Sequence, residues 1–206
     1  MENPAVAARL RKVAEADLPT SFGLFRIFGF KGEYGGRLEE AVVLRMGEVS
    51  GDPPPLVRIH SQCLTGDVFH SLRCDCRAQL ELSLARIAGE GRGLLVYEHK
   101  EGRGIGLLNK LRAYELQDHG ADTVEANEQL GFEADLRNYE LPAEILRHFG
   151  LTSVRLLSNN PDKIQALERA GVEVSERIPC IIAPSDTTEI YLRTKKEKLG
   201  HLLEGF

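Results

Sequence analysis

Gly93-Leu94-Leu95-Val96-Tyr97, then Glu101-Gly102-Arg103-Gly104-Ile105-Gly106, then the run from Leu107 to His119, reads as a buried strand, a glycine turn and a helix stopped by Gly120. The same texture continues outward from it. Leu80, Leu82, Leu84, Ile87 and Ala88 mark a largely buried helix ended by Gly89 and Gly91. After an irregular stretch beyond Gly120, a helix is expected from Pro142 to Phe149, a strand from Val154 to Leu157, a helix from Pro161 to Ala170 and a strand from Val172 to Ile182. The charged tail, Thr187 to Leu203, reads as helical. The first sixty residues differ: a short helix is expected, then strands at Phe22 to Phe30, Ala41 to Met46 and Leu56 to Ser61, separated by Gly32, Gly35-Gly36 and Pro53-Pro54-Pro55. The expected fold is mixed α/β, a β-rich amino-terminal portion followed by alternating helices and strands with a partly parallel sheet. A chain of 206 residues is expected to form one domain over 1–206.

Composition sets outer limits. Hydrophobic residues make up 42% and charged residues 28%, ordinary values for a globular protein. A net charge of -5 argues against a general nucleic-acid binder. Met1 to Ala16 lack the continuous apolar run of a signal peptide, and no later run approaches membrane-spanning length. The expected setting is the cytoplasm, with no membrane partner and with thiols reduced and available to a metal.

Cys63, Cys74 and Cys76 stand in Cys-x10-Cys-x-Cys spacing. Three thiolates satisfy zinc but leave its tetrahedral shell one ligand short, which is the arrangement of a catalytic rather than a structural ion. Three buried structural cysteines are the competing reading, and His60, His70, His99 and Cys180 remain open as a fourth ligand. Cys180, inside Ile178-Pro179-Cys180-Ile181-Ile182, reads as a core residue.

Glycines at 102, 104 and 106 let backbone N–H groups approach an anion closely, and the helix that follows offers its positive end. The spacing is neither the dinucleotide fingerprint nor a Walker A sequence. Arg58, Arg73, Arg77, Lys100 and Arg103 cluster around both features, and guanidinium groups suit a polyphosphate.

Arg58-Ile59-His60-Ser61-Gln62-Cys63-Leu64-Thr65-Gly66-Asp67, Ser71-Leu72-Arg73-Cys74-Asp75-Cys76 and Glu101 to Lys110 resemble GTP cyclohydrolase II, which opens riboflavin biosynthesis. Asp122 to Asn127, Leu130-Gly131-Phe132, Leu156 to Pro161 and Lys198-Leu199-Gly200-His201 extend the resemblance over nearly the whole chain. It implies conversion of GTP to formate, pyrophosphate and a 2,5-diamino-6-ribosylamino-pyrimidinone 5'-phosphate, with Zn2+ and Mg2+ required and a homodimer as the assembly. Carried over residue by residue, Cys63, Cys74 and Cys76 are implied as zinc ligands. Arg58, Ile59, His60, Ser61, Gln62, Gln79, Glu101, Gly102, Arg103, Thr123, Ser158 and Lys163 are implied as the GTP site. Asp135 is implied as proton acceptor, Arg137 as nucleophile and Tyr114 as a helper at the imidazole carbon. Gln62 and Ser158 depart from the glutamate and threonine common in the family, and Gln62 loses a carboxylate. A non-catalytic nucleotide-binding regulator and a related zinc hydrolase with another product are the alternative functions.

Arg137 sits awkwardly in its implied role. A guanidinium is protonated at any working pH and offers no lone pair. Positions 135 and 137 of an extended segment face the same side, which suits base-assisted attack and an ordinary salt bridge equally. The bottom-up alternative is that Arg137 clamps the α-phosphate while water attacks.

Overall fold

The computed structural model describes residues 9–133, 135–182 and 189–203. Seven strands form one sheet in the order β1-β2-β3-β5-β4-β6-β7, with β1 Leu10–Thr20, β2 Gly23–Tyr34, β3 Arg37–Met46, β4 Leu56–Ser61, β5 Gly93–Glu98, β6 Ser153–Leu157 and β7 Glu173–Ile178. The β1, β2, β3 and β5 pairings are antiparallel; β5 with β4, β4 with β6 and β6 with β7 are parallel. The expected fold class is the observed one, a β-rich start feeding a partly parallel sheet.

The helices are α1 Leu64–Asp67, α2 Cys76–Glu90, α3 Leu107–Asp118, α4 Thr123–Gln129, α5 Glu140–His148, α6 Pro161–Arg169 and α7 Glu189–Leu199. Four expectations need correction. Residues 10–20 form no helix: their Arg, Lys, Ala and Glu content favours one locally, but pairing of Leu10 to Thr20 along β2 overrides propensity. The stretch beyond Gly120, expected to be irregular, contains α4, whose N-cap Asp122 and Glu125 form a reciprocal capping box. Helix α5 begins at Glu140 rather than Pro142, which its first turn accommodates. The expected strand to Ile182 ends at Ile178, and the part of the expected tail helix over 187–188 lies outside the described residues.

Strand alternation sends side chains to opposite faces. Val57, Ile59, Leu94 and Val96 join the core beneath α5 and α6, together with Leu141, Ile145, Leu146 and Leu167. Leu56 and Leu95 pack on the other face against Ile87, Leu80 and Leu84 of α2. Arg58 and His60, one and three positions after Val57, therefore belong to the α2 face. The parallel strands β4, β5 and β6 are adjacent, so their carboxyl ends open on one crevice, the usual place for a ligand in such sheets.

Candidate active site

A single cleft at those strand ends is lined by Arg58, His60, Ser61 and Gln62 from β4 and its exit, by all three cysteines, by Glu101, Gly102 and Arg103 of the glycine turn, and by Gln79, Tyr114, Thr123, Arg137, Ser158 and Lys163. Two of the expected residues stand apart. Ile59 is fully buried in the core, and only its carbonyl takes part, accepting from Lys163 Nζ at 2.8 Å. Asp135 lines a neighbouring depression with Asn138, Tyr139 and Asp162, and Arg137 borders both spaces.

The cysteines converge because the chain folds back between β4 and α2. Their sulfur atoms all lie within 4.8 Å of one another, with Cys63 Sγ and Cys74 Sγ 3.6 Å apart. Zn–S bonds of about 2.3 Å in a tetrahedron place sulfurs at close to that spacing. Gly66 makes the approach feasible: a Cβ there would lie 2.9 Å from Cys74 Sγ and 3.1 Å from Cys63 Sγ. Among the described residues this is the one group of three or more His, Cys, Asp or Glu side chains close enough to hold a metal. The four possible fourth ligands fall away. His60 Nε2 faces the Asp67 carboxylate at 3.2 Å, and His70 Nε2 faces Arg77. His99 does not join the group, and Cys180 is fully buried near Ser83 and Asn159.

Charge is concentrated on the Cys63 thiol. Hydrogen bonds from Cys74 and Cys76 hold its pKa well below the usual thiol value, aided by the Lys110 ammonium 3.2 Å away. The same bonding to Cys63 pushes Cys74 up to about 11 and raises Cys76 as well. Lys110 also donates to Glu101 Oε1 at 2.7 Å, and Glu101 Oε2 accepts from Leu64 N at 2.6 Å, which ties the glycine turn to the cysteine loop. Burial alone lowers the pKa of Lys110, but Glu101 and Cys63 more than reverse this, so it stays a cation.

Tyr114, one turn beyond Lys110 on α3, has its hydroxyl 3.1 Å from Thr65 Oγ1. Burial raises its pKa, so it remains a neutral phenol with a proton to donate. Asp67 accepts from Tyr97 Oη at 2.8 Å and from Cys63 N at 3.0 Å, which fixes Cys63 from behind.

The glycine turn over Glu101–Gly104 is a tight turn with Gly102 and Arg103 in the left-handed region, at φ of 59° and 58°. Glycine meets this geometry freely, whereas Arg103 holds it at some cost. Leu136 N donates to Arg103 O at 3.1 Å, and a Cβ at Gly104 would lie 3.2 Å from Leu136 Cβ. The turn thus carries the segment bearing Asp135 and Arg137. Asp135 takes Arg137 Nε at 2.8 and 3.1 Å on its two oxygens and also Nη2, while Arg137 Nη1 donates to Ser61 Oγ at 3.2 Å. Burial raises the Asp135 pKa, but its bonds to Arg137 outweigh that and leave it lowered; Arg137, in spite of its own burial, is raised above the usual arginine value.

The family model described as GTP cyclohydrolase II matches residues 11–179. The chain belongs to the GTP cyclohydrolase II family. It is 52% identical over 194 residues to "GTP cyclohydrolase-2" of Shewanella amazonensis, covering 94% of each chain. It is 55% identical over 191 residues to the protein of that name in Azotobacter vinelandii, covering 93% of this chain and 91% of that one. "Riboflavin biosynthesis protein RibBA" of Aquifex aeolicus is 56% identical over 194 residues, 94% of this chain and 47% of that longer protein. A solved two-domain 3,4-dihydroxy-2-butanone 4-phosphate synthase, RibBX of A. baumannii, covers 82% of this chain and 40% of its own at TM-score 0.47 and 19% identity, too distant a likeness to bear on the chemistry. The GTP cyclohydrolase II match makes this chain an enzyme of that kind.

The cleft also holds residues that the sequence reading did not assign. Lys110 lies four residues from Gly106 and four from Tyr114, a spacing that puts it on the same helix face as Tyr114. Lys195 and His201 enter from the carboxy-terminal segment, where nothing local in a charged run marks one lysine as different from the next.

Proposed function

We propose that this GTP cyclohydrolase II hydrolyses GTP to formate, pyrophosphate and 2,5-diamino-6-(5-phosphoribosylamino)pyrimidin-4(3H)-one, the first step of riboflavin biosynthesis. One observation carries the reading: a three-thiolate cluster, a neutral Tyr114 and a wall of Arg58, Arg103, Arg137 and Lys163 line the same cleft. The donor set and spacing fit Zn2+ held by Cys63, Cys74 and Cys76, and zinc bound there supplies Lewis acidity and an activated water near neutral pH. Tyr114 donates a proton toward the imidazole nitrogen as the bond at C8 breaks. Lys110 and Thr65 hold the phenol in place. The cationic wall receives the triphosphate, with the unpartnered buried Nη1 of Arg103 and Nε of Arg58 as donors.

Arg137 acts as the phosphate clamp. Its raised pKa and bidentate hold on Asp135 leave no lone pair for attack, so water is the nucleophile at phosphorus and Asp135 orients the guanidinium. Mg2+ held on the triphosphate oxygens would supply charge neutralisation at the leaving group beside these guanidinium groups. The remaining expected residues, His60, Ser61, Gln62, Gln79, Glu101, Gly102, Thr123 and Ser158, fit a GTP-binding lining. A single catalytic domain over 1–206 is consistent with one continuous sheet. Among the described residues no helix is long and apolar enough to cross a membrane. Homodimerisation rests on the family resemblance, and a cytoplasmic location is the reading of the sequence.

Incubation of the purified protein with GTP and Mg2+, with formate, pyrophosphate and the pyrimidine quantified, tests the assignment. Equimolar formate and pyrimidine are expected, and a product that retains the formyl carbon would redirect it to a related hydrolase.

A further inference from the structure

Asp75 lies between two of the three cysteines, at the N-cap position of α2, and its side chain makes no bond to the helix N–H groups. Its buried carboxylate accepts from Lys195 Nζ of α7 at 2.7 Å on Oδ1 and from Gln79 Nε2 at 2.5 Å on Oδ2. Gln79 Oε1 in turn accepts from Arg58 Nη2 at 2.7 Å, and Arg58 Nη1 donates to Leu157 O at 3.0 Å. Arg58 is 6% exposed, and its Nε is buried with no partner while the side chain lines the cleft.

The direction of every bond in this chain is fixed. An ionised carboxylate only accepts, so Gln79 must turn its NH2 to Asp75 and its carbonyl to Arg58. Reversing the amide would set N–H against N–H and oxygen against oxygen. The ammonium of Lys195 is the cation that offsets the buried charge on which this order rests, and losing one partner of such a pair leaves an uncompensated ion.

We propose that Lys195 is a positioning residue for the nucleotide site: through Asp75 and Gln79 it orients Arg58 so that Nε–H faces the substrate. The inference rests on the reading of the cleft as a GTP site. It gives the carboxy-terminal helix a part in substrate binding across 120 residues of sequence. Helix α7 has another anchor in Lys198, which pairs with Asp122 and Glu125, and the segment just beyond it is held by Leu202 N donating to Asn159 O at 2.8 Å. Removing one ammonium therefore leaves the helix docked.

Lys195→Met, Gln79→Leu, the double variant and Lys195→Arg separate this role from others. GTP affinity is read by calorimetry, and kcat and KM by formate release, with zinc content and melting temperature measured on each protein. Lys195→Met is expected to weaken GTP binding and raise KM about tenfold, with kcat changed less than about twofold and zinc retained. In the Gln79→Leu background the same substitution adds less than about twofold, and Lys195→Arg recovers most of the loss. The Arg58 side-chain Nε–H resonance of the nucleotide-free protein is expected to lose its exchange protection in Lys195→Met, a signature that global stability would not produce. Effects that multiply in the double variant, or an Nε–H signal unchanged by Lys195→Met, overturn the proposal. Wild-type protein that binds GTP but releases no formate overturns the assigned reaction alone, because the affinity comparison still decides the relay.

Discussion

Lys110 Nζ stands 3.2 Å from Cys63 Sγ and 2.7 Å from Glu101 Oε1, which places a cation beside a thiolate that three cysteines would otherwise leave in charge excess. Three thiolates against one Zn2+ make a net anion, and an N–H donor on the sulfur disperses that charge. Lys110→Met is expected to weaken zinc binding about tenfold or more, as removal of such outer partners does. Competition with a chromophoric chelator measures it; an unchanged dissociation constant would remove Lys110 from the metal site.

Gly66 faces the cluster through the absence of a side chain. An alanine methyl would sit within 2.9 Å of Cys74 Sγ and 3.2 Å of Cys76 Cβ, so either the helix turn or the thiols must move. Gly66→Ala is expected to purify with clearly substoichiometric zinc and to lose formate release in proportion. Gly29→Ala, where a new Cβ meets nothing within 4 Å, is the control expected to keep both. Full zinc occupancy in Gly66→Ala contradicts the packing argument.

His60 gives a pH dependence with a definite sign. Burial lowers its pKa, and the Asp67 hydrogen bond only partly opposes this. Below the unfolded value of about 6.5 the unfolded chain binds a proton that the native imidazole refuses, so stability is lost as pH falls from there toward the folded pKa. The slope for one group is at most about 1.4 kcal/mol per pH unit. Urea unfolding of zinc-loaded protein at pH 7.5 and 5.5 should show wild type losing about 1 kcal/mol more than His60→Gln. A wild type that instead gains stability relative to the variant on acidification would mean a charged His60–Asp67 pair.

The residues that carried the sequence reading are those whose meaning is local. Leu56 to Ser61 formed the strand expected, and Gly91 in the left-handed region capped α2 as a helix-ending glycine does. Cys63, Cys74 and Cys76 converged because their loop is short. Asp122-x-x-Glu125 is a local capping-box signal for α4, equally legible in the sequence. Leu10 to Thr20 was not legible, because only pairing with a distant partner makes that composition a strand. Lys195 was equally silent: its partner Asp75 lies far away in sequence, and only the folded chain distinguishes it from Lys196 and Lys198. For Asp135 and Arg137 the spacing fixed a shared side but not which of two meanings it carried, and the bidentate bonds favour the salt bridge.

That salt bridge sets up the sharpest test. If Arg137 clamps the α-phosphate while water attacks, a cation at this place is what matters; if it forms a covalent adduct, the guanidinium itself is indispensable. Arg137→Lys should then keep roughly a tenth of the pyrophosphate release, since an ammonium retains the charge but not the fork, whereas Arg137→Ala should lose it by a factor of about a thousand. Formate, whose release the proposed mechanism assigns to the cysteine end of the cleft, is measured in parallel. Independent steps leave formate nearly intact in Arg137→Ala and yield a ring-opened triphosphate, while an obligatory phosphate step first abolishes both products. The zinc-free Cys76→Ser protein supplies the reverse case and is expected to release no formate. Quenched-flow trapping of a labelled nucleotide on the wild-type chain, attached through residue 137, would overturn the clamp.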